Sequence, residues 1–142
     1  MTQTRNRTIY LIKRAEMAIR AGLDAALRDL SVTPGQYTIM SLLAAKADQS
    51  SAGLARRAGV TPQSMSETVA QLERKGLIER AENPEHRRIL HISLTAAGSA
   101  LLAQCEARVD TLEAELLNGL SQDQIASLRN VLHAIAQKSG TA

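Results

Sequence analysis

The sequence predicts a mostly α-helical chain carrying one small β-hairpin, and three observations carry that prediction. Over most of the length, apolar residues recur at spacings of three and four, the period of one helical face. Between residues 77 and 94 that period gives way to alternation, the pattern of half-buried strands. Thr-Pro pairs, glycines and capping-box sequences mark where the helices start and stop.

A first helix is expected from Arg5 to Leu30, with Ile12, Ala15, Ile19, Leu23, Ala26 and Leu30 along one side. Thr33-Pro34-Gly35-Gln36 then supplies an N-cap, a proline at the first helical position and a glutamine placed to complete a capping box. It opens a second helix to about Ala47. The polar stretch Asp48-Gln49-Ser50-Ser51 separates this from a short third helix, Ala52 to Ala58, stopped by Gly59. Thr61-Pro62 repeats the start signal and launches a fourth helix to about Lys75, with Gly76 as its terminator.

After Gly76, Leu77-Ile78-Glu79-Arg80 and later Leu90, Ile92 and Leu94 read as two strands. Asn83-Pro84-Glu85-His86-Arg87-Arg88 between them is a polar turn with a basic tip, and the return strand is anchored by Leu90, Ile92 and Leu94. From Thr95 the helical period returns. Leu102, Cys105, Val109, Leu112 and Leu116 step by three and four, a seam suited to packing on another helix. Ser121 and Gln124 form a second capping box ahead of Ile125, Leu128, Leu132 and Ile135.

At 142 residues the chain has the size of one domain. It is 44% apolar and 22% charged, a globular composition, yet it has no Trp or Phe, and Tyr10 and Tyr37 are its only tyrosines. The core must therefore be aliphatic. The net charge is +3, and the excess of cations lies in residues 1–94, because residues 95–142 carry 3 basic and 5 acidic side chains. No run of about 18 apolar residues could span a bilayer, and Met1 to Tyr10 lacks a secretory core, so a cytoplasmic location is expected.

Catalysis and metal binding find no apparatus. His86, His91 and His133 are scattered, HExxH, GxSxG and P-loop patterns are missing, and neither an enzyme nor a cofactor is expected. The single cysteine, Cys105, cannot form an internal disulfide and falls within the apolar seam, where a buried inert thiol is expected.

A helix-turn-helix needs a small residue where its helices cross, a glycine at the turn, and apolar residues that pin the second helix. Ala55, Gly59 and Met65 meet these needs, with Leu54, Val60, Val69 and Leu72 completing the packing. On the fourth helix Met65, Val69 and Leu72 form the apolar side. Gln63, Ser64, Glu67, Gln71 and Arg74 are left to face solvent or a DNA major groove.

Three segments, Leu72-Glu73-Arg74-Lys75-Gly76-Leu77-Ile78-Glu79-Arg80, the hairpin Asn83 to Arg88, and Leu94-Thr95-Ala96-Ala97-Gly98, together resemble the MarR family of bacterial winged-helix regulators. The similarity extends to Thr33-Pro34-Gly35-Gln36-Tyr37 and to the flanking helices, so it covers nearly the whole chain. It implies a single MarR-like domain in which residues 1–30 and 95–142 are dimerisation helices and residues 33–94 are a winged helix-turn-helix lobe. The expected function is that of a ligand-responsive repressor that binds a pseudo-palindromic double-stranded operator as a homodimer. The alternative is a winged-helix module that contacts protein without direct DNA binding.

The resemblance also assigns residues. Arg88, with Arg87 beside it, matches the family's wing-tip arginine and is expected in a minor groove. The family's usual aspartate two positions earlier is replaced by His86. Glu67 stands where the family often has a basic or small residue; its carboxylate can accept from cytosine N4, is repelled by phosphates, and can instead hold Arg74 along the helix. A small, partly apolar, aromatic or anionic effector is expected between the dimer region and the lobe, with Arg20, Tyr37 and Met40 as its lining.

Overall fold

The computed structural model describes residues 7–85 and 88–139. In chain order it contains α1 (Thr8–Leu27), a 3-10 turn (Arg28–Leu30), α2 (Pro34–Ala45), α3 (Ser51–Ala58) and α4 (Pro62–Arg74). The hairpin β1 (Ile78–Glu82) and β2 (Leu90–Leu94) follows, then α5 (Ala96–Leu116) and α6 (Gln122–Ser139). The expected order of elements is reproduced. Two compact units, Met1–Val109 and Asp110–Ala142, divide the chain within α5.

The predicted start signals act as caps. Thr33 accepts from the Gln36 amide N–H through its side chain at 3.1 Å, and the Gln36 side-chain oxygen accepts from the Thr33 N–H at 3.2 Å. Thr61 accepts from the Ser64 N–H at the head of α4, and Ser121 and Gln124 exchange the same reciprocal pair before α6. Gly59 ends α3 in the left-handed region, φ 68°, where a Cβ would be strained. That turn aims α4 across α3.

Core packing follows from these elements. Leu27, Val32, Ile39, Met40, Leu43, Leu54, Ala55, Met65, Val69, Leu72, Leu77, Ile78, Ile92, Leu102 and Cys105 form one buried cluster, with half-buried Tyr37 packed against it. Burial of each large aliphatic side chain contributes about 1.5–3 kcal/mol.

Four local expectations are corrected. The first helix does not run on to Leu30, because the chain tightens into a 3-10 turn at Arg28 and Ser31 turns left-handed, φ 58°. Its deeply buried residue is Leu27, outside the predicted stripe. Asp48 to Ser51 is not merely a spacer. Gln49 exchanges backbone hydrogen bonds with Ile92, its carbonyl accepting from the Ile92 N–H at 2.8 Å, so β2 lies between β1 and this segment. In the hairpin Ile92 is the buried anchor and Leu94 is half-buried, whereas Leu90 is exposed near the outer end. Finally, the apolar seam of α5 divides in use, since Leu102 and Cys105 belong to the core of the first unit while Leu112 and Leu116 lie in the second.

Candidate nucleic-acid interface

The α3–α4 pair presents the arrangement expected of a helix-turn-helix. Leu54 and Ala55 of α3 and Met65, Val69 and Leu72 of α4 are buried, which fixes the rotation of α4 about its own axis. Gln63, Ser64, Glu67, Gln71 and Arg74 all emerge on its exposed side. A proline without an N–H opens the helix and the Thr61 side chain accepts from the Ser64 N–H, which leaves the Gln63 N–H without a bond inside the first turn of the helix.

The five side chains do not behave alike. Gln71 is engaged within the lobe, its side-chain oxygen accepting from the Gln36 amide at 3.1 Å. Glu67 forms no ion pair among the described residues, so the expected hold on Arg74 is not made. Glu73 instead pairs with Arg80 of β1 at 2.9 Å. That contact ties the last turn of α4 to the hairpin and consumes one of the lobe's cations.

The hairpin is organised from its base. Its register sets Ile78 opposite Leu94, Arg80 opposite Ile92 and Glu82 opposite Leu90. Toward the tip, the Asn83 side-chain oxygen accepts from the Glu85 N–H at 3.0 Å, the local turn expected of Asn before Pro, and the Asn83 amide lies 3.1 Å from His91 Nε2. Arg88 is exposed and, among the described residues, makes no ion pair. His86 and Arg87 lie outside the described residues.

Arg57 makes a contact that spacing did not reveal. It is exposed on the last turn of α3, and its guanidinium donates to the Gln49 side-chain oxygen at 2.8 Å. Gln49 is itself buried, and its amide nitrogen donates to the Leu42 and Lys46 carbonyls at the end of α2. Gln49 lies just ahead of the α3 N-cap Ser50 and outside the helix, so no helical or strand period linked it to Arg57.

Of the three residues expected to line an effector site, Tyr37 and Met40 lie three positions apart on α2 and Arg20 lies on α1. Met40 is completely buried in the core, which leaves it no surface for a ligand, and its assignment is corrected to packing. Arg20 projects from the exposed side of α1, where it pairs with Glu16 one turn back. Tyr37 is half-buried and donates through its hydroxyl to Glu106 Oε1 of α5 at 3.1 Å. Burial first, and the Glu106 carboxylate after it, push the Tyr37 hydroxyl above its ordinary pKa. A carboxylate at that hydroxyl opposes an anion there. Cys105, one residue before Glu106, is fully buried, and burial pushes its thiol upward, the environment of an unreactive cysteine.

Comparison with known proteins agrees with this geometry. The model of the MarR family matches residues 30–89, from the last residue of the 3-10 turn to the residue before β2. The HTH-type transcriptional repressor Rv2887 of Mycobacterium tuberculosis (strain ATCC 25618 / H37Rv) is 33% identical over 126 residues, covering 89% of this chain and 91% of that protein. Among solved structures, the transcriptional repressor CouR bound to a 23-mer DNA duplex superposes with a TM-score of 0.88 at 27% identity, over 94% of this chain and 95% of that one. CouR from Rhodococcus jostii RHA1 bound to p-coumaroyl-CoA gives a TM-score of 0.85 at 25% identity, over 92% of each chain. A winged-helix module that contacts only protein draws no support from these likenesses. With the helix-turn-helix, the hairpin and the flanking helices matched in order, the chain belongs to the MarR family of winged helix-turn-helix transcriptional regulators.

Proposed function

We propose that this chain is a cytoplasmic, homodimeric repressor that acts by binding DNA rather than by catalysis, with α4 in the major groove and the wing in the adjacent minor groove. The observation that carries the reading is the exposed polar face of α4, held outward by buried Met65, Val69 and Leu72. Likeness to a repressor solved on a DNA duplex supports it. In this reading Gln63, Ser64 and Glu67 face base edges, Arg74 and Arg57 approach phosphates, and Arg88 with Arg87 supplies the wing contact. Fluorescence anisotropy with duplexes selected from a random library tests it: affinity falls steeply with added salt, and failure to bind any duplex at low salt refutes it.

Dimerisation rests on unpartnered apolar surface. Ile9, Leu11, Ile12, Met17 and Ile19 of α1 are exposed, as are Leu128, Val131, Leu132 and Ile135 of α6. So much aliphatic surface calls for a partner, and a second copy supplies matching surface. Sedimentation at micromolar concentration finds a dimer; a stable folded monomer refutes the assignment.

The effector is proposed to be a partly apolar aromatic acid or its thioester, a class to which the p-coumaroyl-CoA bound by CouR belongs. Tyr37 remains as a lining residue, and Arg20 is proposed to exchange its exposed pairing with Glu16 for an acidic group of the ligand. Release of a selected duplex by one such compound supports a ligand response, and no release across the class refutes it.

A further inference from the structure

We propose that Gln36 is a positioning residue for DNA recognition: it locks the C-terminal end of α4 to the corner between α1 and α2, and Gln71 serves as its partner rather than as a reader of bases. The inference rests on the DNA-binding reading above and refines it.

Gln36 is buried, at 4% exposure, and three of its four hydrogen-bonding capacities are used. Its side-chain oxygen accepts from the Thr33 N–H at 3.2 Å and from Lys75 Nζ at 3.3 Å, while its amide nitrogen donates to Gln71 Oε1 at 3.1 Å. Lys75 in turn donates to the Ser31 carbonyl at 2.7 Å. A capping box asks only for the first of these bonds, which a carboxylate would make equally well. The amide nitrogen is what glutamine adds, and it is spent on α4.

The consequence is geometric. The buried residues of α4, with Leu72 in its last turn, fix its rotation, and Glu73 ties that turn to Arg80 of β1; the angle at which the same turn presents Gln71 and Arg74 is set further by bonds to the α1–α2 corner. Gln36 and Lys75 hold it from two positions, and both lead to residues 31–36, where α1 gives way to α2. Gln71, with its oxygen committed to Gln36, sits on the exposed side as a strut. Bound side chains that fix the angle of a recognition element contribute selectivity without touching a base.

The test begins by selecting a duplex from a random library with the unaltered chain, then comparing affinities for the selected and a scrambled duplex. Gln36→Met and Gln71→Met are each expected to reduce the selected-over-scrambled ratio by about tenfold, with the double variant no worse than either single one. Preference should fall across the whole half-site. Gln71→Glu keeps an acceptor for the Gln36 amide and is expected to retain the ratio, although the added negative charge weakens binding to both duplexes. Gln71 is exposed, so its variants fold whatever becomes of Gln36→Met, and melting curves confirm it. Relaxed preference at a single base pair in Gln71→Met, or additive losses in the double variant, would overturn the positioning role. Failure of the unaltered chain to select any duplex would overturn the DNA-binding reading itself, and this inference with it.

Discussion

Gly98 packs so closely on Leu77 that a Cβ at this position would lie 2.0 Å from the Leu77 carbonyl oxygen. The same corner is tied by Thr95, whose hydroxyl donates to the Gly76 carbonyl at 2.7 Å and accepts from the Gly98 N–H at 3.1 Å. The Thr95 N–H reaches the Leu77 carbonyl at 3.1 Å. The start of α5 is thereby fastened to the base of the wing, and the stretch from Leu94 to Gly98 acquires a physical reason.

Gly98→Ala is therefore expected to destabilise the fold. Alanine favours a helix over glycine by about 1 kcal/mol, but forcing a methyl onto an immovable backbone oxygen costs about 1–3 kcal/mol or more. Loss should outweigh gain. Urea unfolding checks it, and an unchanged or raised midpoint would show that α5 can move away from Leu77 without penalty.

How far the sequence specified the molecule depends on the range of each interaction. Thr33 with Gln36, Thr61 with Ser64 and Ser121 with Gln124 are partners three residues apart, so the caps were legible in the chain itself. The polar face of α4 was legible too, because burial of Met65, Val69 and Leu72 determines it by period alone. What stayed hidden was tertiary. Gln49 pairs with Ile92, Gln36 reaches Gln71 and Lys75, and Tyr37 meets Glu106 69 positions away, none of which a helical or strand period encodes. Met40 was misread for the same reason: a helix face with apolar neighbours can line a cleft or fill a core, and only the packing decides.

The Tyr37–Glu106 contact gives a pH prediction. A phenol whose folded pKa is raised above its unfolded value loses stabilisation relative to the unfolded chain as pH rises past the unfolded pKa toward the folded one. In a Tyr10→Phe background, phenolate absorbance should report Tyr37 ionising above about 10. Glu106→Gln should lower that midpoint without returning it fully, because burial is the larger cause. A midpoint at the ordinary tyrosine value would mean that the hydroxyl is open to solvent.

Asp29 of the 3-10 turn pairs with Arg108 of α5, and the same guanidinium donates to the Ala26 carbonyl near the end of α1 at 3.2 Å. The Arg108 hydrogen bond holds the Asp29 carboxyl below its ordinary pKa of 3.8. Lowered folded pKa means that any stabilisation is present above the unfolded value and is lost as pH falls through the folded one. Carboxyl-carbon chemical shifts should place the Asp29 midpoint below 3.8, and Arg108→Met should raise it. No change on removing Arg108 would show that the pair does not persist in solution.

The wing offers a comparison between two arginines in one hairpin. Arg80 is paired with Glu73 and lies near the base, whereas Arg88 is exposed toward the tip and makes no ion pair among the described residues. An arginine already neutralised by a carboxylate displaces few counterions from DNA, while a free guanidinium can enter a narrow minor groove where the potential is most negative. Arg88→Ala is therefore expected to weaken binding to a selected duplex by about 1–3 kcal/mol and to reduce the salt slope by about one. Arg80→Ala should leave the slope nearly unchanged, and any loss it causes should appear in unfolding as well, because the tie to Glu73 is broken. Sedimentation of both variants should match the unaltered chain, since neither residue lies in α1 or α6. Equal effects of the two substitutions on the salt slope would mean that general positive charge, rather than an inserted Arg88, accounts for what the wing contributes.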